Sequence, residues 1–476
     1  MVSKSKKAVA LILAALTTTA VLAGCTGSSE PPAVSIPSTT STTSGSGESS
    51  SGEAGALINL EGDKEAESYK STVEYIKNGI AEEAAGDNNG KISLYIWCSS
   101  DDESFESTLA KSFEETFADP RYELKVTVDS GIGEDKAADK VKEGPEDAAD
   151  VFSFADDGLT RLVEAGCIAK VATYFRENVK TENTDEAIAV STLDDTLYAF
   201  PRTSDNGYFM YYDKRVFPDA KDVECFDDMI AKANAQGKSV YMNLGVGWYN
   251  AAFFLTAGCD LSYKDGVQIA AYGTDKGLSA ARAMCHLAES QGKGFEGKDG
   301  GSGDNAAVGD GFRSGKLAAA VIGTWVGPAI AEAIGTENLG AAKLPTTLMD
   351  GEQKQLHSFG GYKLVGVNRY STCPFSSQAL AYWLTKGESQ LERNKTRGLI
   401  PTNKTALASS DLTNKVALDA IEAQKPYAHN QGECVSGTYW ASNVGGLGGE
   451  IVNEKGNFTD DQLMEKLKLI EGQMAG

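Results

Sequence analysis

The chain has 476 residues, 41% of them apolar, and a formal net charge of −23 at pH 7. That charge argues against nucleic acid or an anionic lipid surface as a partner of the folded part. None of the eight cysteines sits at CxxC spacing and no two of the three histidines are close in sequence, so no zinc or redox motif is visible and neither metal nor cofactor is expected.

Lys4, Lys6 and Lys7 precede an uncharged run from Ala8 to Leu22, long enough for an export signal and short for a permanent span. The run ends in Leu22-Ala23-Gly24-Cys25, which resembles the lipobox of bacterial lipoproteins. That resemblance implies cleavage before Cys25, diacylglycerol on its thiol, and residence on the outer face of the cytoplasmic membrane, as suits a Gram-positive-type cell. Two or three acyl chains suffice for stable anchoring at about 0.8 kcal/mol per buried methylene. Residues 1–24 are thus read as a signal peptide. Residues 25–56, almost entirely Ser, Thr, Gly, Pro and Ala, form a tether reaching roughly 30 Å.

Residues 57–89 form a lead-in, with a charged, helix-prone stretch from Asp63 to Ala85. Ile92, Leu94 and Ile96 then alternate within Lys91–Trp97, a strand of period two. Phe105, Leu109, Phe113 and Phe117 recur every four residues, predicting an amphipathic helix that stops before Pro120. Leu124, Val126 and Val128 mark a second strand and Val151–Phe154 a third. The segment from Asp157 to Gly166 reads as a helix capped by Asp157 and ended by the glycine. This alternation predicts an open α/β sheet, with ligands bound beyond the carboxyl ends of its strands.

Lys91–Trp97, the phenylalanine-spaced helix and Ala149–Asp157 leading to Gly166 resemble the first lobe of extracellular solute-binding proteins of the maltose/maltodextrin type. Leu197–Pro201, Tyr208–Lys214, Gly315–Trp325, Gly398–Pro401 and Gly437–Trp440 follow in the order that family shows. The resemblance implies an α/β two-lobe clamp with a ligand cleft between lobes joined by hinge crossings. Lobe 1 is placed at 90–202 and 357–402, lobe 2 at 203–356 and 403–476. The partners implied are an oligosaccharide, for which a maltodextrin-like α-glucan is the leading reading, and the membrane permease of an ABC importer. ATP use belongs to those partners, since no Gly-x-x-x-x-Gly-Lys-Ser/Thr loop occurs here. The chain itself is expected to be a monomer.

A pyranose shows C–H groups on its faces and hydroxyls round its edge, so its site needs aromatic platforms and edge-on carboxylates. Trp248, Trp325, Tyr439 and Trp440 are the candidate platforms, with Phe154 from lobe 1; one of the adjacent pair Tyr439 and Trp440 is expected to pack inward. Asp101, Asp102, Asp157, Asp205 and Asn206 are the candidate polar partners. Trp97 and Trp383 are assigned to packing. Two positions depart from the family pattern: Asp102 stands where the maltose-binding relative has a basic residue, and Phe154 where it has a tryptophan. Other readings are a binding protein for a different solute and a surface glycoside hydrolase using Asp101-Asp102 and Asp156-Asp157. Hydrolysis needs two carboxyls across the bond, which adjacency alone does not supply, and no catalytic residue is assigned. The loop Gly297–Asn305 lacks the calcium-binding spacing.

Overall fold

The computed structural model describes residues 58–264, 266–300 and 304–474. Cys25, the signal peptide and the tether lie outside the described residues, as do 301–303 of the glycine-rich loop.

The first described element is helix α1 (Glu67–Ala85), which buries Ile76, Ile80 and Ala84. Lobe 1 then lays down strands β1 (Lys91–Trp97), β2 (Glu123–Asp129), β3 (Val151–Ala155) and β4 (Ala199–Thr203). Lobe 2 contributes β5 (Phe209–Asp213), β6 (Ser239–Met242), β7 (Phe295–Gly297), β8 (Leu317–Ile322) and β9 (Leu339–Ala342). The chain crosses back through β10 (Ser358–Gly360), returns β11 (Lys363–Val367) to the first sheet, and later adds β12 (Ala428–Asn430) beside β10.

The two sheets, ordered β2-β1-β3-β11-β4 and β7-β6-β8-β5-β9, share one pattern. In each, two parallel pairings are followed by two antiparallel ones. The central strands β3 and β8 are buried along their whole length, as sheets covered on both faces require.

Three crossings join the lobes, and backbone bonds tie them together: Ser204 N donates to Ile400 O at 3.0 Å and Asn206 N to Gly361 O at 3.1 Å. A Cβ at Gly207 would come within 2.9 Å of Phe359 O, so this close approach of two crossings needs a glycine.

The lead-in is part of lobe 1. Tyr75 stacks on Tyr174 at 4.0 Å, and the Glu83 carboxylate accepts from the Phe375 and Ser376 amides at 2.7 and 3.0 Å. Glu83 therefore caps a helix, Pro374–Thr385, that belongs to a distant part of the chain.

Helix α2 (Glu103–Thr116) forms as expected but is rotated. Its buried face is Glu106, Ala110 and Phe113, while Phe105 and Leu109 are only partly covered. Trp383 is buried against Phe113 and Phe117, and Trp97 is buried in lobe 1. Among the described residues all seven cysteines are free thiols. None of the described helices is long and apolar enough to cross a membrane.

Candidate functional site

The carboxyl end of β1 runs into Ser99–Asp102, and the facing wall comes from helix α3 (Gly387–Arg397). Arg393 and Arg397, four residues apart, project from one side of that helix. Arg397 Nη1 donates to Asp102 Oδ1 at 2.6 Å, and its Nη2 lies 3.4 Å from Asp101 Oδ2. Arg393 Nη2 binds Asp102 Oδ2 and reaches Glu134 Oε1 at 3.3 Å. A further ion pair, Arg202 with Glu106, is wholly buried behind them, and Arg202 also donates to Ser153 Oγ at 2.8 Å.

Burial opposes ionisation of Asp102, but the charges of Arg393, Arg202 and Arg397 outweigh it and hold the carboxyl far below the usual range. Glu106 moves the other way, because burial there exceeds what Arg202 returns. Nε and Nη1 of Arg393 are buried without a hydrogen-bond partner.

The opposite wall is aromatic. Strand β8 is followed by Gly323, where a Cβ would strike the Trp325 ring at 2.0 Å; the glycine lets the indole fold back over the strand end. Trp325 Nε1 donates to Asn305 Oδ1 at 2.9 Å. Trp248, near the start of the helix Gly247–Thr256, packs beside it with ring centroids 5.8 Å apart and planes 36° apart. Tyr208 meets Trp248 edge-on at 4.7 Å, and Trp248 Nε1 donates to Gln431 at 2.8 Å.

Between the walls is a cavity of ≈ 210 Å³ that touches Asp101, Asp102, Asp205, Asn206, Trp325 and Lys363. Asp205 Oδ2 accepts from Thr324 Oγ1 at 2.5 Å and from Ile400 N at 2.9 Å, so it bolts a strand end of lobe 2 to two crossings. Burial raises its pKa, offset in part by the Thr324 hydroxyl.

Five of the ten sequence-derived site residues therefore line one cavity, and a sixth, Trp248, adjoins it by packing against the lining residue Trp325. The other four do not line it. The Phe154 ring is wholly buried in lobe 1 beside Phe152, since β3 is covered on both faces. Tyr439 is wholly buried, its hydroxyl donating to Gly247 O at 2.9 Å, while Trp440 stays 38% exposed, so the inward-packing member of that pair is the tyrosine. Asp157 does not cap its helix: the N-cap of Leu159–Glu164 is Gly158. Its carboxylate lies 3.8 Å from Arg161; burial raises its pKa, and Arg161, Lys363, Gln431 and Trp440 offset the rise. Sequence reasoning missed Glu134, Asn305, Lys363, Arg393 and Arg397. Among the described residues no group of three or more His, Cys, Asp or Glu could hold a metal ion.

Solved structures share this architecture. One determined with acarbose is 27% identical, with a TM-score of 0.67 over 81% of this chain and 99% of its own. The maltodextrin-binding protein MalE1 from L. casei BL23, solved without ligand, is 25% identical, with a TM-score of 0.64 over 81% and 99%. The Thermus thermophilus maltotriose-binding protein bound with maltotriose is 18% identical, with a TM-score of 0.63 over 80% and 99%, a likeness of fold. No curated protein matches the sequence. The family model of bacterial extracellular solute-binding proteins matches residues 108–420, and the chain, a two-lobe α/β protein, belongs to that family.

Proposed function

We propose that this protein is the lipid-anchored receptor of an ABC importer, capturing a maltodextrin-like oligosaccharide in the cleft and delivering it to a membrane permease. The observation that carries the reading is the pairing of Trp325 and Trp248 across from Asp101, Asp102 and the two arginines. The indole plane offers a platform for the C–H faces of a sugar, and the charged wall offers acceptors and donors for its hydroxyls. Neutral, hydroxyl-rich solutes fit a wall whose charges are already paired with one another. Likeness to proteins solved with acarbose or without ligand as a maltodextrin-binding protein supports the sugar class.

The three crossings act as the hinge, and closure of both walls on one sugar shifts the population from open to closed forms that dock on the permease. The Cys25 lipid and the tether keep the receptor near that permease. Asp102, which Arg393, Arg202 and Arg397 hold ionised, cannot serve as a general acid. Isothermal titration of the protein against a panel of linear and cyclic oligosaccharides tests the reading. An α-glucan should bind best, without new reducing ends, and Trp325→Ala should weaken it; unchanged affinity in that variant would remove the site assignment.

A further inference from the structure

A second cavity, of ≈ 280 Å³, lies beside the crossings and shares Asp205 alone with the cleft. Lobe 1 contributes Asp156, Val190 and Tyr362 to its wall, lobe 2 contributes Phe209 and Ile421, and the crossing strand contributes Phe359. Its polar groups are under-satisfied. Ser358 Oγ is buried without a partner, and neither oxygen of Asp156, a residue only 6% exposed, accepts a well-formed hydrogen bond.

The charge here is unbalanced as well. Asp157 is answered by Arg161, whereas Asp156 has no cation within ion-pair distance; Lys363, on the cleft side, acts on it only from farther off. Glu422 adds a second negative charge to the rim, and Lys425, the cation in the lining, is engaged by Glu186 at 3.2 Å. Burial, reinforced by Asp157, raises the Asp156 carboxyl to about 7. A buried carboxylate without a counter-charge costs several kcal/mol, which a cationic guest would offset.

Aromatic rings complete the wall: Tyr208, Phe359 and Tyr362 all line the cavity. A carboxylate set among aromatic rings is the surrounding that an ammonium head prefers. The volume sits just under the ~300 Å³ at which small-molecule pockets begin, which limits the guest to a compact molecule.

We propose that this cavity is a second ligand site, taking a small organic ammonium compound whose cationic head is held at Asp156 among Tyr208, Phe359 and Tyr362. A neutral polyol would satisfy Ser358 and leave the Asp156 charge unanswered, so charge is the property that defines the ligand. The occupant touches both lobes and a crossing strand.

The test is calorimetric titration of the full chain with choline and with ethanolamine, each beside a neutral counterpart, 3,3-dimethylbutan-1-ol and ethylene glycol. Titration runs at about pH 8, above the value of about 7 at which Asp156 ionises. At least one ammonium probe should bind saturably with one-to-one stoichiometry, about tenfold tighter than its counterpart. Asp156→Asn should weaken it at least about tenfold and the surface change Glu422→Gln about threefold, while sugar affinity in the cleft stays unchanged in both. If Asp156→Asn does not fold, Glu422→Gln decides. No saturable ammonium binding up to about 100 mM, equal binding of the neutral counterparts, or undiminished binding in the folded variants would overturn the proposal.

Discussion

The two walls of the cleft are built on opposite principles. Lobe 1 presents a lattice of buried ion pairs, Asp102 with Arg393 and Arg397 and Glu106 with Arg202, whose geometry is locked by mutual charge. Lobe 2 presents two tryptophans on strand-end and helix-start positions, held by packing and one hydrogen bond each. The charged wall contributes directional contacts and a large stability liability, because each member is tolerable only while its partner is present. The aromatic wall contributes contact area and can be trimmed with little effect on folding.

The sharpest break in that comparison is Arg393→Met. It leaves buried Asp102 with Arg397 as its remaining direct cation and takes the cation from half-buried Glu134, and should lower unfolding stability by about 3 kcal/mol in urea titration. A loss below about 1 kcal/mol would mean the lattice is a solvated cluster.

Asp156→Asn probes the crossings between the walls. The native carboxyl keeps its proton up to about pH 7, while the unfolded chain releases it near 3.8, the ordinary value for an aspartate. Between those values the native state binds more protons, so this group makes stability fall as pH rises through the window and level off above it. The variant should remove that slope, gaining on the parent from pH ~4 to pH ~7 by at most about 4 kcal/mol. Parallel stability curves for parent and variant would show that Asp156 ionises normally.

Trp325→Ala belongs to the other wall. It should weaken the best sugar by about 2–3 kcal/mol, on the order of 100-fold, with unfolding stability within about 1 kcal/mol of the parent. Equal losses in both measurements would erase the contrast between the walls.

The smallest effect expected is for Glu83→Ala, which removes the cap on Pro374–Thr385. A stability loss of about 1 kcal/mol with sugar affinity unchanged would place the lead-in as part of lobe 1 and remote from the cleft.

The aromatic wall was readable because Trp325 follows an all-apolar strand between glycines and Trp248 follows a glycine near a helix start, positions that leave a ring only partly covered by the core. Trp325 and Trp248 could be picked out from such local surroundings. Arg393 and Arg397 could not. Gly387–Arg397 reads as a charged surface helix, and its buried face, Ser389, Gln390, Arg393 and Asn394, has no apolar stripe to betray it. Its partner Asp102 lies 291 positions earlier.

Phe154 and Asp157 lie outside the cavity lining for related reasons: a central strand hides both faces, and a short 3-10 turn at Asp156–Gly158 moves the helix start past the aspartate. Helix α2 shows the same limit. Its phenylalanine spacing predicted the helix, but Arg202 drew Glu106 inward and turned the face.

Period-two and period-four patterns and glycine positions determined by themselves the element types and an α/β sheet, while the two-lobe class rested on the resemblance that the ordered motifs carry and the tryptophans stood out by their glycine neighbours. These features depend on neighbours in the chain. Which charges meet in the cleft, which aromatic of an adjacent pair turns inward, and where a carboxylate is left without a counter-charge were decided by the tertiary structure alone. Such pairings depend on burial and on distances between segments hundreds of residues apart, which no local pattern records.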